Sequence, residues 1–317
     1  MKKFFEALEK QQFTLTGWLA AAFGIVLIRA VLENFFNGTI NGYPTADATT
    51  LVHFYLWYIA VVACLIFCIK FVVNKPLPHL ANIGLFGLIF IWIAPIVDLA
   101  SGARSHLMSY IYSAFPEIIR SYSTYFQDQG SAGITTGIRI EIAVILVLIG
   151  SYIYVNQTGL WSRIFKTFLG ICASYTVIFA WLAFPGIISI FANQQEGLSF
   201  FTSSVVNSAA YLSSKNPNII YALITVMSQL IYLALFLLAG IWLWVSNKRH
   251  LIELLKNSRW PRLIYFLLIF ALGLFLTQAD LRIQNNWIHV LYLLTATITI
   301  YCFWMFSVGS NDLTDLE

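Results

Sequence analysis

Long apolar runs restrict the fold of this chain more than any other feature of its sequence. From residue 222 to residue 245 the chain reads "ALITVMSQLIYLALFLLAGIWLWV", without one charged side chain. A transmembrane helix needs about 20 predominantly apolar residues. Lipid offers the backbone no hydrogen-bond partners, so only helices or a closed barrel can cross it. Because these runs are continuous and do not alternate with polar residues, they predict helices.

The composition agrees with a membrane protein along the whole chain. Hydrophobic residues make up 59% of the sequence and charged residues 10%, whereas soluble domains carry about 25% charged residues. We therefore predict an all-α, polytopic integral membrane protein with about eight transmembrane helices. The predicted spans are 14–36, 51–73, 81–100, 134–155, 165–192, 218–246, 261–278 and 286–308.

The distribution of Lys and Arg predicts the orientation, because short basic loops remain cytoplasmic. With a cytoplasmic N-terminus, the inner loops hold most of the basic residues, and an even number of spans places the C-terminus inside as well. The inner set is Lys2, Lys3, Lys10, Lys70, Lys75, Arg163, Lys166, Lys248, Arg249, Lys256, Arg259 and Arg262, and the outer set is Arg104, Arg120, Arg139, Lys215 and Arg282. Anionic lipid accounts for the net charge of +4 without nucleic acid. We expect a bacterial or archaeal cytoplasmic membrane.

The chain divides into three predicted parts at its most basic stretch, "VSNKRHLIELLKNSRWPR". Residues 1–246 form a six-span region, residues 247–262 a basic cytoplasmic linker, and residues 263–317 the last two spans with an acidic end. An aromatic-rich loop at 101–133 is typical of helices that lie in the membrane interface. It is either a vestibule for lipid or substrate or an aromatic belt that anchors the fold.

Charges within the predicted spans are costly in lipid and therefore suggest function. Arg29 and Glu33 are four residues apart, so they can pair along one helix face. Asp98 near the end of the third span and Arg139 and Glu141 near the start of the fourth predict a polar cluster near the outer leaflet. Such a cluster would bind a polar head group or relay protons, or the charges would only neutralise one another.

The acidic end, "SVGSNDLTDLE", contains a spacing that suits a metal ion. Asn311, Asp312 and Asp315 occupy positions i, i+1 and i+4, so a helix would carry their oxygen ligands along one stripe. Magnesium prefers oxygen ligands and is usually held by one or two carboxylates together with substrate phosphates. These residues are therefore candidate ligands for Mg²⁺ and a diphosphate.

Residues 251–317, with "SRWPRLIYFLLIFALGLFL" and then "SVGSNDLTDLE", resemble the beginning of UbiA-type membrane prenyltransferases. That family has an Arg and a Pro before its first helix and an N-D-x-x-D-x-x-x-D motif after its second. Asn311, Asp312 and Asp315 match the first three fixed positions, and the fourth would be residue 319. The resemblance does not extend to the family's second Asp-rich motif or to residues 1–246, so we expect a truncated product or one half of a split enzyme.

The resemblance implies Mg²⁺-dependent transfer of a prenyl group from an isoprenoid diphosphate to an acceptor. Asn311, Asp312 and Asp315 would bind the metal or the diphosphate, and Arg259 and Arg262 would contact phosphate. We expect such a fragment to be inactive alone, and the catalytic residues are not identified. The alternative is a polytopic transporter or membrane scaffold that uses Asp98, Arg139 and Glu141.

Overall fold

The computed structural model describes most of the chain, and the described part is helical. It covers residues 1–37, 48–101, 110–127, 134–192, 197–206, 219–256, 264–265, 268–269 and 287–314. No strand occurs within these ranges. The helices are α1 (Lys2–Glu9), α2 (Leu15–Asn37), α3 (Ala48–Val73), α4 (Leu77–Leu88), α5 (Ile93–Ala100), α6 (Phe115–Thr124), α7 (Thr136–Asn156), α8 (Leu160–Leu182), α9 (Phe184–Phe191), α10 (Gly197–Val206), α11 (Ile219–Lys256) and α12 (Trp287–Thr314).

Six helical segments within the described ranges are long and apolar enough to cross a membrane. They are Leu15–Glu33, Ala48–Val73, Leu77–Ala100, Thr136–Asn156, Leu160–Leu182 and Ile219–Lys256. The third of these joins α4 to α5 through a short 3-10 helix, Ile89–Trp92. The first six predicted spans therefore each correspond to one of these segments, and the chain is an integral membrane protein.

The fifth predicted span, 165–192, is wrong in both its limits. Helix α8 begins at Leu160 and ends at Leu182, and α9 starts separately at Phe184. Pro185 explains the break, because it has no N–H to donate to the carbonyl of Trp181 four residues earlier. That carbonyl instead accepts a hydrogen bond from the indole of Trp57 at 3.3 Å.

Most of the seventh predicted span lies outside the described residues, whereas the eighth, 286–308, lies within α12 except for its first residue. Only residues 264–265 and 268–269 of the seventh are described. For the eighth, α12 contains a shorter apolar stretch, Val290–Met305. The count of eight spans and the cytoplasmic position of both termini remain predictions.

The chain forms two compact units, Met1–Phe200 and Phe201–Glu317. In the first unit, α7 packs against α8 and α5, α3 packs against α8 and α4, and α2 packs against α3. Aliphatic side chains fill the centre of this bundle, whereas Phe71, Val147 and Trp161 are more than half exposed. An apolar exterior around an apolar core suits a lipid environment.

In the second unit α11 and α12 pack against each other. The indole of Trp287 donates to Ser204 Oγ at 3.0 Å, which ties the start of α12 to α10. The predicted domain boundary at residue 247 falls within α11, where Asn247 has non-helical backbone angles (φ −158°, ψ 91°). The division into domains at that residue remains a prediction, since the compact units divide after Phe200.

Candidate functional site

Arg29 is the centre of a buried ion-pair network in the first unit. Its Nε donates to Glu33 Oε1 at 2.9 Å, and its Nη1 donates to Glu141 Oε2 at 2.6 Å. All three side chains are nearly inaccessible, with residue exposures of 5%, 4% and 5% for Arg29, Glu33 and Glu141. One positive charge therefore faces two negative charges, and the network carries one net negative charge when all three groups are ionised.

A backbone carbonyl completes the contacts of the Arg29 guanidinium. Nη1 also donates to the carbonyl oxygen of Ile91 at 2.8 Å. In a regular helix the N–H of residue 95 would bond to that oxygen, but residue 95 is a proline and has no N–H. Pro95 thus leaves a free acceptor in the middle of the third span, and Arg29 uses it.

Tyr58 on α3 contacts the same network. The Arg29 guanidinium lies over the Tyr58 ring, 5.2 Å from the ring centroid. Tyr58 is 3% exposed, and its hydroxyl has no hydrogen-bond partner within the described part of the chain. An unpaired buried hydroxyl is uncommon and needs an explanation.

Asp98 is fully buried but does not join the ion pairs. It accepts hydrogen bonds from Thr135 Oγ1 at 2.5 Å and from the backbone N–H of Gly137 at 2.7 Å. The carboxylate therefore caps the first turn of α7, where a negative charge also interacts favourably with the helix dipole. A Cβ at Gly137 would lie 2.7 Å from Asp98 Cγ, so glycine permits this close contact.

Of the predicted outer cluster, the structure brings Glu141 to Arg29 and not to Asp98. Arg139 is half-buried and lies near Tyr125, at the end of α6. Burial raises the pKa of the Tyr125 phenol well above its usual range, and the positive charge of Arg139 opposes that shift. The pairing of Arg29 with Glu33, which the four-residue spacing predicted, is present.

An elongated apolar cavity extends from this network between α3, α4 and α7. Arg29 and Glu141 are the charged residues in its lining, and Tyr58 lies beside them. Aliphatic side chains from all three helices form the walls, and Phe5 and Tyr152 lie at the end near α1. The centre of a water-sized sphere can occupy about 100 Å³ of this cavity.

A second polar cluster holds α1 against the bundle at that end. The Glu9 carboxylate accepts from Lys75 Nζ at 2.5 and 2.6 Å and from the Tyr152 hydroxyl at 2.7 Å. The Asn82 amide donates to the backbone carbonyl of Glu9 at 3.3 Å. This cluster fixes α1 so that Phe5 packs edge-on against the Tyr152 ring, with centroids 5.2 Å apart.

Aromatic residues dominate the described part of the predicted interfacial loop. Helix α6 is present there, and its Tyr122 packs against Tyr175 of α8, with ring centroids 4.8 Å apart. Tyr110 shares a 2.6 Å hydrogen bond with His53 Nε2. Removal from water raises the pKa of Tyr110 well above its usual range, so this phenol stays neutral in the folded protein.

The predicted metal and diphosphate ligands lie mostly outside the described residues. Asn311 and Asp312 fall within α12, which is helical through Thr314, but the structure does not describe their side chains. Asp315, Arg259 and Arg262 are outside the described ranges. Within those ranges no group of three or more His, Cys, Asp or Glu residues could hold a metal ion.

The chain contains four cysteines, Cys64, Cys68, Cys172 and Cys302. All four are free thiols, and the Trp181 indole contacts Cys64 Sγ at 3.4 Å.

Comparison of the chain with known proteins finds no matching family model, no similar curated protein and no similar solved structure.

Proposed function

We propose that the protein is a polytopic membrane transporter whose substrate site is the Arg29 network together with the adjoining apolar cavity. One observation carries this proposal: two buried carboxylates share a single guanidinium at the end of a cavity inside a membrane bundle. Ionisable groups within membrane spans usually mark substrate or ion pathways, because their burial is costly.

The charge of the network favours transport over prenyl transfer at this location. A diphosphate would approach two carboxylates and only one guanidinium, which already donates to both carboxylates and to a carbonyl. Like charges in a poorly solvated site repel strongly. The site in residues 1–200 therefore suits a cation, a proton or a neutral polar group.

Alternating exposure of the cavity to the two sides of the membrane tests the proposal without knowledge of the substrate. The four native cysteines are replaced by serine, and Val62→Cys introduces a thiol into the cavity lining. The protein is reconstituted in sealed liposomes in both orientations. We expect a membrane-impermeant thiol reagent to modify Val62→Cys from each side.

Val147→Cys is the matched control, because Val147 is 65% exposed on the outside of α7 and would face lipid. It should remain unmodified from both sides. Modification of Val62→Cys from one side only, or not at all, would contradict alternating access and favour a membrane scaffold.

We also propose that residues 251–317 belong to a UbiA-like prenyltransferase domain within an eight-span topology. The unbroken course of α12 from Trp287 to Thr314 supports this second candidate. Asn311 and Asp312 then follow the apolar stretch Val290–Met305 on the same helix. On this proposal Asn311, Asp312 and Asp315 hold Mg²⁺, which would neutralise charge on the departing diphosphate.

Binding of farnesyl diphosphate by the purified chain tests the second candidate. We expect calorimetric binding that requires Mg²⁺ and is weakened about tenfold or more by Asp312→Asn. Glu253→Gln removes an exposed carboxylate of the same unit and should leave binding unchanged. Equal binding with and without Mg²⁺ would count against the domain assignment.

A further inference from the structure

We propose that the cavity binds a single-chain amphiphile with an ammonium head group, which lies between Glu141 and Tyr58 with its chain along the cavity. This inference rests on the proposed transport site, because it names the substrate class of that site. The length, width and charge of the cavity support it independently of any movement across the membrane.

The length of the cavity suits an extended chain. Its lining on α7 runs from Ile138 to Tyr152, and its lining on α3 runs from Trp57 to Ile69. At 1.5 Å per residue these stretches rise about 21 and about 18 Å. The cavity is therefore about 20 Å long, which is about two-thirds of the roughly 30 Å hydrocarbon core.

The width of the cavity suits one chain and not two. The centre of a water-sized sphere can occupy about 100 Å³ of the cavity. Divided by a cavity length of about 20 Å, this volume corresponds to a mean cross-section of about 5 Å² for the sphere centre. Adding the 1.4 Å radius of the sphere gives a mean channel radius of about 2.7 Å. A methylene chain fits such a channel, whereas a two-chain lipid or a fused ring system would have to spread the helices.

The head group is assigned from the charge and the unpaired hydroxyl at one end. The Arg29 network carries one net negative charge when Glu33 and Glu141 are both ionised, and a bound cation offsets that buried charge. The Tyr58 hydroxyl lacks a hydrogen-bond partner within the described part of the chain. An ammonium group would donate to Glu141 and, once the side chains that cover the Tyr58 hydroxyl move aside, to the Tyr58 oxygen.

The opposite end of the cavity is not a second head-group site. Glu9, Lys75 and Tyr152 already satisfy one another there through hydrogen bonds of 2.5 to 2.7 Å. The rings of Phe5 and Tyr152 present an apolar surface to the cavity. The polarity of the cavity thus fixes the direction of the ligand, with its chain terminus near α1.

Photochemical labelling of the full chain in nanodiscs tests this inference. The probe is dodecylamine with a diazirine at the far end of its chain. We expect it to label peptides that contain Phe5 or Tyr152, and unlabelled dodecylamine to displace it. Dodecanol and dodecyl sulfate, which share the chain but lack the positive charge, should each compete about tenfold less well or worse.

Two variants with a matched control separate the cavity from general membrane partitioning. Glu141→Gln removes the charge, and Gly87→Leu fills the cavity, since Gly87 lines it and a Cβ there would meet no atom within 4 Å. Each should lower displaceable labelling by about tenfold. Gly24→Leu has equally free space but lies outside the lining, and it should label like the wild type.

Equal competition by dodecanol would overturn the ammonium assignment, and unchanged labelling of Gly87→Leu would overturn the cavity as the site. The labelling experiment and the thiol-modification experiment on Val62→Cys can fail independently of each other. Displaceable labelling with access to Val62→Cys from only one side would support the ligand and contradict the transporter. Access from both sides without displaceable labelling would contradict the ligand alone.

Discussion

Arg29 and Glu141 are separated by 112 positions in the sequence, yet Arg29 Nη1 lies 2.6 Å from Glu141 Oε2 in the middle of the bundle. This contact joins α2 to α7, and the Ile91 carbonyl adds the third span to the same guanidinium. A single cation thus connects three membrane-spanning segments of the first unit.

Replacement of Arg29 by methionine should destabilise the first unit strongly. The change keeps an apolar stem of similar length but leaves Glu33 and Glu141 without their counter-charge. Removing one partner of a buried ion pair lowers the free energy of unfolding by about 3–5 kcal/mol. We expect that loss in the free energy of unfolding, measured in mixed micelles by denaturant titration.

The triple variant Arg29→Met, Glu33→Gln, Glu141→Gln should recover most of this stability, because no unpaired charge remains buried. Arg120→Met, at an exposed position of α6, provides the control and should change stability little. Wild-type stability in Arg29→Met alone would contradict a structural role of the ion pairs.

Gly137→Ala tests the close contact between α5 and α7. The new Cβ would lie 2.2 Å from the Ala94 carbonyl oxygen and 2.7 Å from Asp98 Cγ, so the backbones of α5 and α7 would have to move apart. Overpacking of this kind costs about 1–3 kcal/mol. Gly24→Ala, where a Cβ meets nothing within 4 Å, should instead be neutral or stabilising by up to about 1 kcal/mol.

Asp98→Asn distinguishes capping from a direct part in transport. Asparagine is also a good helix cap, so we expect a loss of less than about 2 kcal/mol in stability. Dodecylamine also crosses lipid unaided as the free base, so the measured quantity is uptake in excess of that by protein-free liposomes. This excess should persist in Asp98→Asn and disappear in Glu141→Gln. Loss of this uptake in Asp98→Asn but not in Glu141→Gln would instead assign the functional role to Asp98, as predicted from the sequence.

Local patterns in the sequence account for the spans and for one of the ion pairs. Continuous apolar runs locate the six membrane-spanning helices, because length and hydropathy alone decide whether a segment can cross lipid. The spacing of Arg29 and Glu33 likewise fixes their contact within one helix. Such features depend only on residues that are near each other in the chain.

Contacts between helices could not be predicted in the same way. Whether Glu141 meets Arg29 or Asp98 depends on the rotation of α7, which a helix without a polar stripe does not reveal. The sequence did contain one unused signal, Pro95, which frees the Ile91 carbonyl for a donor from another helix. The unpaired Tyr58 hydroxyl has no comparable signal, since tyrosine is common in buried spans.

Glu9→Gln should release α1 from the bundle. The variant loses the ion pair with Lys75 and weakens the bond from Tyr152, and both groups are largely buried. Hydrogen bonds to charged groups contribute about 1.5–3 kcal/mol. We therefore expect hydrogen exchange of the α1 amides to accelerate about tenfold or more, measured by mass spectrometry.

Glu6→Gln changes a neighbouring carboxylate of the same helix and should leave the exchange of α1 unchanged. Labelling by the dodecylamine probe should also fall in Glu9→Gln, because Phe5 would no longer close the cavity. Slow exchange of α1 in Glu9→Gln would show that other contacts hold this helix.

Tyr110→Phe should make the first unit less stable at neutral pH and less sensitive to alkali. The variant loses the hydrogen bond with His53, which contributes about 1 kcal/mol. The pKa of Tyr110 is raised in the folded protein because the phenol is removed from water. Above pH ~10 the unfolded tyrosine releases its proton while the folded one keeps it, so stability falls as pH rises.

The loss of unfolding free energy that Tyr110 causes at alkaline pH is absent below the pKa of the unfolded tyrosine. Above that pKa the loss grows by at most ~1.4 kcal/mol per pH unit. Tyr112, whose pKa burial raises to about 12, contributes a similar loss that the variant retains. We expect the wild type and Tyr110→Phe to become equally stable about one pH unit above pH ~10, and the wild type to be the less stable protein beyond that point. Tyr154→Phe, at an exposed position of α7, should keep the wild-type pH profile, and parallel profiles for Tyr110→Phe and the wild type would contradict the buried, neutral state of Tyr110.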